Sequence, residues 1–215
     1  MSDATAGGLP ADPFSRSGVA RQASRRRRTK ETEVAVELSV DGTGTVSVTT
    51  GLPFFDHMVE QLGRHAGFDL MVRASGDLAV DAHHTVEDVG IVLGQCLHEA
   101  LGDKAGIRRF ASVLVPLDEA LSEVALDLSG RPYLAYEVPF PDDAAPLGSP
   151  PFEPQLAEEF WRAFATAGML TLHIRRREGR NTHHVLESSF KGVARALRDA
   201  VRREGGGVPS TKGTL

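Results

Sequence analysis

His83-His84-Thr85-Val86-Glu87 recurs one hundred residues later as His183-His184-Val185-Leu186-Glu187. On an α-helix the first His and the Glu of each copy are four apart, and the second His and the Glu are three apart. Both pairs therefore lie close together on the helix surface. The two adjacent imidazoles diverge by roughly 100° around the helix axis. One helix can thus offer one His with the Glu to one metal ion and the other His to a second. The doubled pattern of strong donors points to a protein that holds two metals.

The segments around the two copies follow one plan. The long helices, expected from about His84 to Leu101 and from about His184 to Arg203, align at an offset of 100, which also pairs Leu97 with Leu197 and Ala100 with Ala200. Ahead of them a helix and a strand align at an offset of 102, which pairs Leu70 with Leu172, Val72 with Ile174, and His57 with Glu159. This is an internal duplication. It adds a fourth donor to each set, giving His57, His83, His84 and Glu87 in one and Glu159, His183, His184 and Glu187 in the other. Imidazole mixed with carboxylate suits Mn, Fe or Zn better than Mg or Ca.

Local patterns fill in the rest. Val34, Val36, Leu38 and Val40 alternate with polar or small residues, as a half-buried strand does. Asp41-Gly42 with Gly44 marks a turn, and a hairpin returning through Val46 and Val48 is expected. Pro53 opens a helix to about His65, which Gly67 ends. Strands are expected at 68–74 and, shorter, at 78–81, then near 110–116, 121–128 and 133–138. A proline-rich loop at 139–154, a helix at 155–167 and a strand through Leu170, Leu172 and Ile174 follow. Short strands with two helices per half make an α+β fold, two sheets with helices on one face of each.

Composition bounds the function. The 215 residues are enough for one large domain or two packed halves, and 41% hydrophobic content supports a core. A net charge of −5 argues against general nucleic-acid binding by the body of the protein. The single cysteine, Cys96, rules out a disulfide framework and favours a reducing, cytoplasmic setting. No apolar run reaches membrane-spanning length, and a signal-peptide pattern is lacking. Residues 1–24 read as a flexible tail, followed by a basic run Arg25-Arg26-Arg27-Arg28 that reads as a solvated lead-in. Two rival readings are a di-metal phosphate-ester hydrolase and a nucleic-acid-binding module using that basic run.

Several motifs together resemble the imidazoleglycerol-phosphate dehydratase family. They are Pro53-Phe54-Phe55-Asp56-His57-Met58, Asp81-Ala82-His83-His84-Thr85-Val86-Glu87-Asp88, Asp118-Glu119-Ala120, Leu128-Ser129-Gly130-Arg131-Pro132, the second HHxxE with Phe190-Lys191, and Pro209-Ser210-Thr211-Lys212-Gly213. They occur in order from about Arg28 to the C-terminus. The resemblance implies a duplicated unit like the second domain of ribosomal protein S5. Repeats would span 25–108 and 109–204, and a substrate-binding tail 205–215, within one catalytic domain 25–215. It implies a hydro-lyase of histidine biosynthesis that converts D-erythro-imidazole-glycerol phosphate to imidazole-acetol phosphate. Assembly into a homo-24-mer and two Mn²⁺ per active site at subunit interfaces are also implied.

By position in the family, one Mn²⁺ would take His57, His84, Glu87 and His183, and the other His83, Glu159, His184 and Glu187. The family most often has His where this chain has Glu159, in Glu158-Glu159-Phe160-Trp161. A carboxylate remains a good Mn²⁺ ligand. Glu31 is the implied acid/base, with Glu87 and Glu187 as further carboxylates of the catalytic site. Arg109, Arg131, Lys191, Ser210, Thr211 and Lys212, with Glu31 and His57, would contact the phosphorylated substrate. Metals on both ring nitrogens would favour the imidazolate, so that the ring can accept charge as the adjacent C–H proton leaves.

Overall fold

A computed structural model describes residues 21–141 and 143–213. The chain runs β1 (Gln22–Arg28), β2 (Thr32–Ser39), β3 (Val46–Thr49), α1 (Pro53–Ala66), β4 (Asp69–Gly76) and α2 (His83–Leu101). The same order then repeats as β5 (Phe110–Leu117), β6 (Ala120–Asp127), β7 (Tyr133–Glu137), α3 (Leu156–Ala167), β8 (Thr171–Glu178) and α4 (Thr182–Ala200). The sheet orders are β1-β2-β4-β3 and β5-β6-β8-β7, so the two halves share one topology. This is the duplicated α+β architecture expected from the repeated motif.

Three local expectations are corrected. The hairpin between β2 and β3 does not form: β2 pairs antiparallel with β1 and β4, while β3 pairs parallel with β4. Both edges of β2 are already used. Parallel β3 and β4 need a crossover, and α1 supplies it. The basic run is not a solvated lead-in either, because it forms most of the edge strand β1. Its lone apolar residue, Ala23, hid the strand from periodicity. Arg25 pairs with Glu99 at 2.8 Å and Arg27 with Asp88 at 2.9 Å, so two of its four cations are tied to α2. Finally, 78–81 is a turn closed by the Val80 N–H donating to the Asp77 carbonyl at 2.7 Å. Residues 1–20 of the expected tail lie outside the described residues.

The core lies on the helix side of each sheet. Val34, Val36 and Leu38 of β2 and Val124 and Leu126 of β6 are buried there. Helices α1 and α2 cover the first sheet, α3 and α4 the second, and the layers meet as α2 on α3 and α1 on α4. Phe55, Phe152, Phe160, Trp161, Phe164 and Phe190 fill the junction, all 1% exposed or less. Such rings bury large apolar areas and fix the helix positions. Helices α2 and α3 approach closely because Gly90 and Gly94 have no side chain. A Cβ on Gly90 would stand 2.7 Å from the Phe160 carbonyl oxygen.

The helix ends that carry the motifs are locally encoded. Pro53 starts α1, and Gly67, at φ 73°, ends it. At α4 the Asn181 side chain accepts from the His183 and His184 N–H groups at 3.0 and 3.3 Å. That cap sets the first turn from which both imidazoles project.

Candidate functional site

The α1–α4 contact brings three metal-type donors together. One ligand atom each from His57, His183 and Glu187 lies within 4.8 Å of the others. Glu187 Oε2 is 3.0 Å from His183 Nε2 and 3.6 Å from His57 Nε2, and the two rings stand 5.8 Å apart. Phe54 packs edge-on against His183 at 5.2 Å, which restricts that ring. Lys191, one turn further along α4, donates to Glu187 Oε1 at 2.7 Å. Burial raises the Glu187 pKa, but the Lys191 contact and the nearby imidazoles outweigh it, and the carboxyl is held below its ordinary range. It is therefore an anion at neutral pH, suited to a cation. Two imidazoles and a carboxylate leave coordination positions open to further ligands.

The other donors are arranged differently. His84 and His184 each face a carboxylate: His84 Nδ1 is 3.1 Å from Asp77 Oδ2, and His184 Nδ1 is 2.7 Å from Glu119 Oε2. The Asp77 hydrogen bond, with Glu31 and Asp81 nearby, raises the His84 pKa, and Glu119 does the same to His184. Glu119 is in turn held down to about 2, by His184 first and then by the Asn181 N–H. Glu31 sits exposed between β1 and β2, near enough to His84 to affect its charge. His83 and Glu87 are half-buried on α2, and Glu159 is half-buried on α3, 3.9 Å from Arg162. The repeat groups Glu187 with Glu159, His183 and His184, and the family resemblance groups it with His83, Glu159 and His184 at a subunit interface; within one chain it stands beside His183 and His57. Among the described residues only that one triad of donors is this close.

The anion-binding candidates divide. Lys191 is beside the triad, whereas Arg109 is not. The Arg109 N–H donates to the Ala200 carbonyl at the far end of α4. Its guanidinium grips Asp127 at 2.7 and 3.0 Å and donates to the Pro209 carbonyl at 2.7 Å. It thereby fastens the C-terminal segment bearing Ser210, Thr211 and Lys212. Arg131 is exposed, 3.9 Å from the same Asp127. Spacing alone could not show Asp127, Asp77, Gln61 or Asn181, because each acts across loops or on a helix face with no motif of its own. Gln61 lies between His57 Nδ1, at 3.5 Å, and His65 Nε2, at 3.1 Å. Cys96 is core: burial pushes its thiol up to about 11.

The family model of imidazoleglycerol-phosphate dehydratase matches residues 50–197. The chain belongs to the imidazoleglycerol-phosphate dehydratase family. It is 59% identical over 196 residues to the imidazoleglycerol-phosphate dehydratase of Acidothermus cellulolyticus, covering 91% of this chain and 93% of that one. With the enzyme of Gluconacetobacter diazotrophicus it shares 54% identity over 199 residues, 91% of this chain and 98% of that one. The crystal structure of the Staphylococcus aureus enzyme superposes with a TM-score of 0.75 at 35% identity, covering 85% of this chain and 99% of that chain. The Pyrococcus furiosus enzyme, in complex with (S)-C348, gives 0.76 at 36%, covering 89% and 100%. No helix among the described residues is long and apolar enough to cross a membrane.

Proposed function

We propose that His57, His183 and Glu187 hold one Mn²⁺ of the active centre, and that the observation carrying this is their convergence within 4.8 Å. The family's reaction is the loss of water from imidazole-glycerol phosphate to give imidazole-acetol phosphate, and the chain is a hydro-lyase of histidine biosynthesis. The donor set fits a transition metal: two imidazoles and one carboxylate held as an anion. By the duplication, His83, Glu87 and Glu159 are the counterpart set for a second Mn²⁺. His84 and His184 then remain as donors to metals centred on other copies of the chain.

Bound metal supplies Lewis acidity to an imidazole ring that must take up charge as the neighbouring C–H proton leaves. The chain's own residues do the rest. Glu31 takes the carbon-bound proton, and the departing hydroxyl leaves as water once it is protonated. Lys191, Arg109, Arg131, Ser210, Thr211 and Lys212 hold the phosphate and keep the reacting carbons in register.

The distance between the triad and Arg109 supports self-association. From His183 to Ala200 along α4 is seventeen residues, about 26 Å at ~1.5 Å per residue. A three-carbon phosphate carrying one imidazole ring cannot reach from the triad to Arg109 within one chain. A surface hollow of about 680 Å³ on the outer face of the first sheet, among Ser24, Glu37, Ser47 and Met71, is lined by no histidine. We read the site as completed by neighbouring copies; the homo-24-mer and the cytoplasmic setting rest on the family resemblance. The test is Mn²⁺ titration of chelator-stripped protein, wild type against His57→Ala. Loss of one class of Mn²⁺ site in the variant is expected. Unchanged stoichiometry and affinity would overturn the assignment.

A further inference from the structure

His84 and His184 share a feature that the duplication does not explain. Each has a carboxylate at Nδ1, Asp77 at 3.1 Å and Glu119 at 2.7 Å. The two carboxylates come from unrelated places. Asp77 follows β4 and precedes α2 in the first repeat, whereas Glu119 lies in the turn between β5 and β6. Repeat alignment does not pair them, so one contact has been built twice by different routes.

A carboxylate only accepts hydrogen bonds, so each Nδ1 must carry the hydrogen. A neutral ring in that tautomer has its lone pair on Nε2. We propose that Asp77 and Glu119 are positioning residues that lock His84 and His184 into the tautomer whose Nε2 is free to bind metal. This rests on the reading of both histidines as metal ligands. The side chains of His84 and His184 remain 37% and 29% exposed, so the free nitrogens are open to an incoming partner. On that open side the exposed Asp118 approaches His184 Nε2 no closer than 3.7 Å.

Glu119 also has a structural task, and its two oxygens divide the work. Oε1 accepts the N–H groups of Arg180 and Asn181 at 3.2 and 2.8 Å, which holds the turn into α4. Oε2 faces His184. Glu119→Gln separates the two roles. The amide oxygen keeps the turn, while the NH₂ donates to Nδ1 and drives the ring hydrogen onto Nε2, where it blocks the lone pair. Asp77→Asn does the same at His84, and among the described residues the Asp77 side chain has no other hydrogen-bond partner.

The experiment uses full-length, chelator-stripped protein and Mn²⁺ alone. Metal-free melting temperature, Mn²⁺ affinity and the ¹⁵N shifts of the imidazole nitrogens are compared for wild type, Glu119→Gln and Asp77→Asn. Unchanged metal-free melting is expected, with the hydrogen moved to Nε2 and Mn²⁺ affinity lowered about 10–100-fold. Variants that bind within about twofold of wild type, or that keep the wild-type tautomer, would overturn the positioning role. A wild type that binds no Mn²⁺ would instead overturn the metal reading on which this inference stands.

Discussion

Replacing Glu187 by Gln keeps the shape of the side chain and removes its charge. Glu187 is 13% and Lys191 19% exposed at the side chain, with 2.7 Å between them. An exposed helical pair of this spacing contributes about 0.3–0.5 kcal/mol, and breaking a fully buried pair costs about 3–5 kcal/mol. The half-enclosed geometry lies between, so the metal-free variant should lose about 1–3 kcal/mol. For a chain of this length that is a fall in Tm of about 2–12 °C. The decisive readout is the response to Mn²⁺. At a free concentration one hundred times Kd, binding stabilises the native state by about 2.7 kcal/mol, or a rise of about 5–11 °C in wild type. Glu187→Gln withdraws the only carboxylate of the triad, so most of that rise should vanish. Thermal unfolding by circular dichroism, with chelator and then with Mn²⁺, measures both effects. A variant whose Mn²⁺-induced rise equals that of wild type would refute the placement of the metal at this triad.

Other outcomes follow from the same geometry. Lys191→Ala removes a cation placed beside the triad; loss of one charged hydrogen bond of about 1.5–3 kcal/mol should lower kcat/KM by about 10–100-fold, and steady-state kinetics unchanged from wild type would remove Lys191 from substrate binding. Gly90→Ala would raise stability on an exposed helix, by about 1 kcal/mol. Here the new Cβ meets the Phe160 carbonyl at 2.7 Å and Ala163 at 3.0 Å, so a net loss of about 1–3 kcal/mol is expected, and a raised Tm would contradict the close α2–α3 contact. Asp69 accepts the N–H groups of Thr43 and Thr45 at 2.8 and 3.0 Å, which hold its carboxyl below the ordinary 3.8. A lowered folded pKa stabilises above the unfolded value and is lost as pH falls through the folded one. Urea midpoints should therefore separate wild type from Asp69→Asn at neutral pH and converge below the ordinary carboxyl range; a constant gap would mean that the charge does not matter.

Much of the fold was legible because the helices carry strong signals. Pro53, Gly67 and the HHxxE repeats bound α1, α2 and α4 to within a few residues. Strand pairing was less legible. The alternation in Val34–Val40 identifies a strand but not its neighbours, and the turn at Asp41–Gly44 suggested a hairpin where the chain instead crosses to β3. Strand β1 was hidden because its four arginines carry no apolar period, and their partners Glu99 and Asp88 lie on α2. At the site, donor identity could be read from the motif, but grouping could not. Glu187 joins His57 and His183 because α1 packs on α4, a tertiary fact that no spacing contains. Asp77 lay beyond reach for the same reason, and the Asp118-Glu119-Ala120 motif showed Glu119 without showing that it faces His184.

The most direct test of the central claim is turnover of imidazole-glycerol phosphate by chelator-stripped protein, before and after Mn²⁺ is added. Activity lost on stripping and restored by Mn²⁺ is the predicted result, with restoration failing in Glu187→Gln. Full turnover by metal-free protein would contradict the account. So would stripped protein that binds Mn²⁺ at the triad and still does not dehydrate the substrate.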